Sequence, residues 1–119
     1  MPALIHSTDI PDLYWRSAGI PFAFYDPPSS LTPEQYASLY RTSPISLVRS
    51  AVTPTLVMLG SNDSRICPEQ GKMWYHALIH GDTEAKLVCF KGENHPIDAT
   101  VEGLRRKVRM ALEFLQGHM

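Results

Sequence analysis

An aspartate and a histidine, each a few residues past a short apolar run, are the side chains of this 119-residue sequence best suited to chemistry. Thr55-Leu56-Val57-Met58-Leu59 is closed by Gly60-Ser61-Asn62-Asp63, and Lys86-Leu87-Val88-Cys89-Phe90 leads into a loop, 91–98, that carries His95. A carboxylate accepting from one imidazole nitrogen fixes the ring tautomer and leaves the other nitrogen free as a base. Such a pair needs the two runs to be neighbouring parallel strands about 4.8 Å apart. Loops leaving the carboxyl ends of parallel strands converge on one sheet edge, where ligands bind. Spacing alone leaves a structural alternative: Asp63 caps the helix beginning near Pro68, and His95 is an ordinary loop residue.

The elements that must position these residues follow from periodicity and caps. Pro68-Glu69-Gln70 opens a helix with an apolar stripe of Met73, Trp74, Ala77 and Leu78, which Gly81 ends. Val101, Leu104, Val108, Ala111, Leu112 and Leu115 repeat at the 3.6-residue period of a final helix. Strand, helix, strand, helix with short links over 55–119 predicts an α/β fold with parallel strands. Residues 1–54 differ. They hold Pro2, Pro11, Pro21, Pro27, Pro28, Pro33, Pro44 and Pro54, which disfavour long regular elements and read as connections. One short helix is predicted there, opened by Thr32-Pro33-Glu34-Gln35 as N-cap, first-turn proline and capping-box glutamine, and ending near Tyr40 before Ser43-Pro44. Tyr14, Trp15, Phe22, Phe24 and Tyr25 either wrap a core or line a pocket, and Ala3-Leu4-Ile5 reads as the tail of one more strand.

Composition narrows the function classes. The chain is 44% apolar and 19% charged, which is globular rather than disordered. Eleven basic against 12 acidic residues argue against a nucleic-acid binder, and no apolar run approaches the roughly 20 residues of a membrane span. The N-terminal residues lack the pattern of a secretory signal. Cys67 and Cys89 are too few for a disulfide scaffold, read as buried free thiols, and suit a reducing cytosol, so a soluble cytoplasmic protein is expected. His76 and His80 share a helix face, but Ala77 stands where a zinc hydrolase of that spacing needs a glutamate, so no metal is assigned. Arg105, Arg106, Lys107 and Arg109 are diluted by Glu102 and Glu113 and read as a polar helix face.

Beside these readings stands a resemblance. Ser7-Thr8-Asp9-Ile10-Pro11-Asp12, Ala18-Gly19-Ile20-Pro21-Phe22, Ser43-Pro44-Ile45, Val52 through Gly60, Asp63-Ser64-Arg65-Ile66, Pro68, Gln70-Gly71, Tyr75, Ala77-Leu78 and His95 run collinearly through nearly the whole chain. Together they resemble the catalytic domain of acylaminoacyl-peptidases, of the prolyl oligopeptidase family of serine peptidases. That resemblance implies the C-terminal portion of an α/β-hydrolase fold, whose sheet this chain would hold only in part. It further implies an acylated peptide as substrate, no cofactor, Asp63 and His95 as the aspartate and histidine of a catalytic triad, Arg65 as a substrate-positioning residue, and Ile66 as part of an apolar pocket.

Aspartate before histidine is also the chain order of α/β-hydrolases, in which the nucleophilic serine precedes both. No Gly-x-Ser-x-Gly turn occurs in this sequence, and Pro96 directly after His95 departs from the family pattern. The expectation is therefore a chain that supplies two triad members but is inactive alone, short by roughly the half that carries the serine, since domains of this large-sheet type often run about 200–250 residues. Its partner would be the upstream part of the domain, or a second copy paired through an exposed sheet edge. Two alternatives stand beside it: a non-catalytic binding or assembly module, which includes a short paralogue, and a hydrolase of esterase or dipeptidyl-peptidase type.

Overall fold

A computed structural model describes residues 11–21 and 31–119. Ala3-Leu4-Ile5 and the aromatics Phe22, Phe24 and Tyr25 lie outside the described residues.

Among the N-terminal connections, α1 (Pro11–Ser17) is a helix that the proline pattern did not announce, and α2 (Pro33–Thr42) is the one it did. The α2 cap forms as its residues dictate. Thr32 Oγ1 accepts from the Gln35 amide at 3.3 Å, and Gln35 Oε1 accepts from the Thr32 amide at 2.8 Å. The helix continues past Tyr40 to Thr42, and Pro44 then opens a 3-10 helix over Pro44–Ser50. Ala18, Ile20 and Leu39 form a small core with Tyr14, Trp15 and Leu31 around it, and Ser38 Oγ donates to the Ala18 carbonyl at 2.6 Å. Two of the loop aromatics thus cover a core.

The strand–helix–strand–helix segment is present as predicted. Strands β1 (Thr55–Gly60) and β2 (Ala85–Phe90) pair in parallel, with register running from Thr55 opposite Ala85 to Gly60 opposite Phe90. Helix α3 (Pro68–His80) is the crossover between them and ends at Gly81, whose amide bonds back to the Ala77 and Leu78 carbonyls. Helix α4 (Val101–Gln116) follows β2. The helices take opposite faces of the sheet. Leu59 points at α3, so closely that a Cβ on Gly71 would collide with its Cδ2. Leu56 and Met58 lie on the other face with Val88, Phe90 and Ile97, against Met110 of α4.

One sequence expectation is corrected here. Cys67 and Cys89 are free thiols, but both are exposed rather than buried. Cys67 stands at the entry to α3, and Cys89 lies near the end of β2, opposite Leu59. The apolar stripe that marks α4 in the sequence largely faces outward. Val101, Leu104, Val108, Leu112 and Leu115 are 43–69% exposed, while the packed side is Gly103, Lys107, Met110 and Phe114. A 3.6-residue period shows that one helix face is apolar, but what covers that face depends on the neighbours, and a two-stranded sheet covers only a narrow strip.

Candidate active site

The two loops leaving the carboxyl ends of β1 and β2 are stitched together by their own backbone. The Ser61 amide donates to the Phe90 carbonyl at 3.0 Å, and the Asn62 amide to the Glu93 carbonyl at 2.9 Å. Ser61 Oγ accepts from the Gly92 amide at 2.7 Å. Gly60 makes the crossing possible, since a Cβ there would run into the carbonyl oxygens of Glu93 and Asn94.

Above this seam Asp63 and His95 meet: His95 Nδ1 lies 2.7 Å from Asp63 Oδ2. The other oxygen, Oδ1, accepts from the Arg65 and Ile66 amides, each at 2.9 Å. Asp63 thus organises the turn before α3 and also holds the imidazole. The N-cap of α3 is Cys67 rather than Asp63, and it makes no side-chain cap. Burial disfavours the charge on Asp63, but the Ile66 amide, the His95 imidazole and the Arg65 amide outweigh it and hold the carboxyl below its ordinary range. The aspartate side chain is 11% exposed and the histidine 39%, so the pair is open at the imidazole end. An aspartate bonded to Nδ1 leaves Nε2 directed away from it, and among the described residues no hydrogen bond to Nε2 is made. Such an arrangement leaves Nε2 open to exchange a proton with a further group.

The histidine loop is anchored from below. Ile97 is buried and adopts a positive φ of 55°, a strained conformation for a β-branched residue. Asn94 and Asp98 bond reciprocally, Nδ2 to Oδ1 at 3.0 Å and the Asp98 amide to Asn94 Oδ1 at 3.2 Å. Lys107 Nζ donates to the Pro96 carbonyl at 2.6 Å, and the Arg106 guanidinium lies 5.1 Å from the Phe90 ring centroid. Two of the four clustered cations therefore serve the fold around the histidine loop. Arg65 is exposed and Ile66 half-buried, both immediately beside Asp63. A cleft of about 370 Å³ begins at the next residue, lined by Cys67, Glu69, Gln70 and Met73. His76 and His80 are exposed on α3, and among the described residues no group of three or more metal-binding side chains exists. No helix among the described residues is long and apolar enough to cross a membrane.

Sequence reasoning missed Glu93, Gly60 and Lys107. Glu93 is 4% exposed, yet nothing in its spacing distinguished it from a solvated loop carboxylate. Gly60 was legible only as the end of a strand.

Parallel strands with helices on both faces, and an aspartate–histidine pair at their carboxyl ends, define a piece of an α/β-hydrolase sheet. The sequence pattern of the prolyl oligopeptidase family matches residues 13–119, and the chain belongs to that family. Its relatives include the acylamino-acid-releasing enzymes of Arabidopsis thaliana, 32% identical over 82% of this chain, and of Homo sapiens, 32% identical over 80%. The enzyme of Rattus norvegicus is 29% identical over 98%. The chain spans only 13–15% of the length of these relatives. Among solved structures, the acylaminoacyl peptidase of Pyrococcus horikoshii superposes with a TM-score of 0.66 at 20% identity, covering 87% of this chain and 18% of that one. An esterase from Thermogutta terrifontis does so at 0.58 and 21% identity, covering 71% and 33%.

Proposed function

We propose that this chain carries the aspartate and histidine of a serine-peptidase triad of the acylaminoacyl-peptidase type. The 2.7 Å contact between His95 Nδ1 and Asp63 Oδ2 above two parallel strands is the observation that carries this reading. In a complete catalytic domain, His95 Nε2 takes the proton of a serine hydroxyl as that oxygen attacks the scissile carbonyl. The same nitrogen then returns the proton to the leaving amine, while Asp63 stabilises the imidazolium and keeps Nδ1 protonated. By the same kinship, Arg65 would bond a substrate carbonyl or acyl end, and Ile66 would meet an apolar side chain at the scissile bond. The substrate class is an N-acylated peptide, by kinship with the acylamino-acid-releasing enzymes.

The serine must come from a Gly-x-Ser-x-Gly turn, which this sequence lacks, so the 119-residue chain alone forms no acyl-enzyme. A fluorophosphonate probe tests this: the purified chain should stay unlabelled, and stoichiometric labelling would refute the assignment.

An assembly reading accompanies the catalytic one. It is supported by the exposed apolar side of α4 and by the outer edge of β1, which pairs with no strand among the described residues. The rest of a hydrolase domain is the occupant that suits both, because it would supply a parallel strand and packed apolar side chains together. Size-exclusion chromatography over a dilution series is the check. Concentration-dependent self-association of the chain alone would show the sticky surface, and a stable monomer at high concentration would count against it.

A further inference from the structure

Glu93 is a buried carboxylate that the triad chemistry leaves unused. Its side chain reaches beneath the first turn of α4, where Oε2 accepts from the Ala99 amide at 2.9 Å and Oε1 accepts from the Thr100 hydroxyl. Thr100 is the α4 N-cap, and its Oγ1 in turn accepts from the Gly103 amide at 2.9 Å. Gly103 leaves the room this needs, since a Cβ there would strike the Glu93 carboxylate. The main chain of the same residue faces the other way. Its carbonyl accepts from Asn62, next to Asp63 in sequence, and His95 follows two residues on. One residue therefore ties together α4, the aspartate loop and the histidine loop.

We propose that Glu93 is a positioning residue for the Asp63–His95 pair: its side chain locks the histidine loop to the start of α4 while its carbonyl locks that loop to the aspartate loop. This rests on the reading of the pair as triad members. A 16-residue helix provides a rigid anchor. A carboxylate held by an amide and a hydroxyl cannot swing without leaving donors unpaired at a buried site, so the short link from Glu93 to His95 has little freedom. Ile97, buried beyond His95 at positive φ, pins the loop on its far side.

The test uses the full 119-residue chain, ¹⁵N-labelled, and follows solvent exchange of the His95 Nδ1 proton by NMR. Glu93→Ala should exchange it about tenfold faster than wild type, as loop opening becomes more frequent. Glu93→Gln should stay within about twofold, because its amide oxygen still accepts from Ala99 and its NH2 can reach Thr100 Oγ1. Thr32→Ala, which removes the distant α2 cap, lowers overall stability and should leave the His95 proton unchanged. Unaltered exchange in Glu93→Ala would overturn the proposal. So would an equal acceleration in Thr32→Ala, or a loss in Glu93→Gln as large as in Glu93→Ala. If Glu93→Ala does not fold, Glu93→Asp, one methylene short of both donors, decides in the same way: faster exchange supports the proposal and unchanged exchange overturns it. Asp63→Asn separates the two levels. If it leaves the His95 proton unaffected, the pair itself fails, whatever Glu93 does.

Discussion

Gly60→Ala attacks the seam on which the site depends. A Cβ on residue 60 would lie 2.5 Å from the Glu93 carbonyl oxygen and nearer still to that of Asn94. Carbon and carbonyl oxygen rest at about 3.3 Å or more, so the histidine loop must withdraw by ~0.8 Å to clear the Glu93 oxygen and farther to clear that of Asn94. The atoms struck are backbone, which cannot rotate aside. Withdrawal loosens the bonds from Ser61 to the Phe90 carbonyl and from Asn62 to the Glu93 carbonyl. Overpacking costs about 1–3 kcal/mol and each lost hydrogen bond about 1 kcal/mol, so the variant should be about 3–5 kcal/mol less stable. The His95–Asp63 contact, 2.7 Å in the native chain, would open past about 3.5 Å, beyond hydrogen-bonding reach. Urea unfolding gives the stability, and the His95 Nδ1 proton resonance reports the contact. Gly117→Ala is the control: its Cβ would meet the Glu113 and Phe114 carbonyl oxygens at an ordinary 3.5 and 3.6 Å, and the change should stay within about 0.5 kcal/mol. A Gly60→Ala chain with native stability and an unperturbed His95 resonance would refute the close-approach reasoning.

The remaining predictions concern the pair and the two titrating contacts. Asp63→Asn can keep the Arg65 and Ile66 amides on its carbonyl oxygen but presents an NH2 to His95, which reverses the favoured tautomer. In a catalytic domain that supplies the serine it should lower kcat about 10⁴-fold, and a wild-type rate would remove Asp63 from the mechanism. The Asp63 carboxyl titrates below its ordinary value of 3.8, so its contribution to stability is present above that value. That contribution is lost as pH falls through the lower folded value, and Asp63→Asn should flatten this part of an acid-unfolding curve. His118 behaves in the opposite sense. The Phe114 carbonyl at 2.6 Å and the Glu84 carboxylate at 3.0 Å raise its pKa above the ordinary 6.5. The clasp it forms at the end of α4 is therefore complete below pH 6.5 and should loosen as pH rises through the folded value, which amide exchange in the last turn of α4 would show. Glu84→Gln should shift that loosening to lower pH, and an unshifted profile would exclude the contact as its cause.

Much of this architecture was legible from residue types because the signals are local. Thr32, Pro33 and Gln35 specify a helix start through groups three residues apart, and Gly81 specifies a helix end. The runs 55–59 and 86–90 are apolar enough to be buried strands wherever they lie. Asp63 and His95 stood out because parallel strands bring their following loops to one edge, and the family kinship extends across both loops. Other features had no local signal. Glu93 looks like any loop carboxylate until α4 is laid over it. The cations Arg106 and Lys107 read as a solvated face, yet one lies against an aromatic ring and the other holds the loop behind His95.

The sequence by itself determined the strand–helix–strand–helix order of 55–119, the cap at Thr32, the placing of an aspartate and a histidine after successive strands, and membership of the prolyl oligopeptidase family. Only the tertiary structure decided that Oδ2 of Asp63 meets Nδ1 of His95, that Gly60 lets one loop cross the other, that Glu93 is buried beneath a helix start, and that the thiols of Cys67 and Cys89 face solvent. It also decided which side of α4 is packed. The physical reason is the same throughout. Propensity, capping and periodicity act over a few residues of chain, whereas burial and contact depend on what arrives from elsewhere in the sequence. An apolar stripe states that a face would gain by being covered. Whether anything covers it is decided by the neighbours, and on α4 the stripe from Val101 to Leu115 still faces outward.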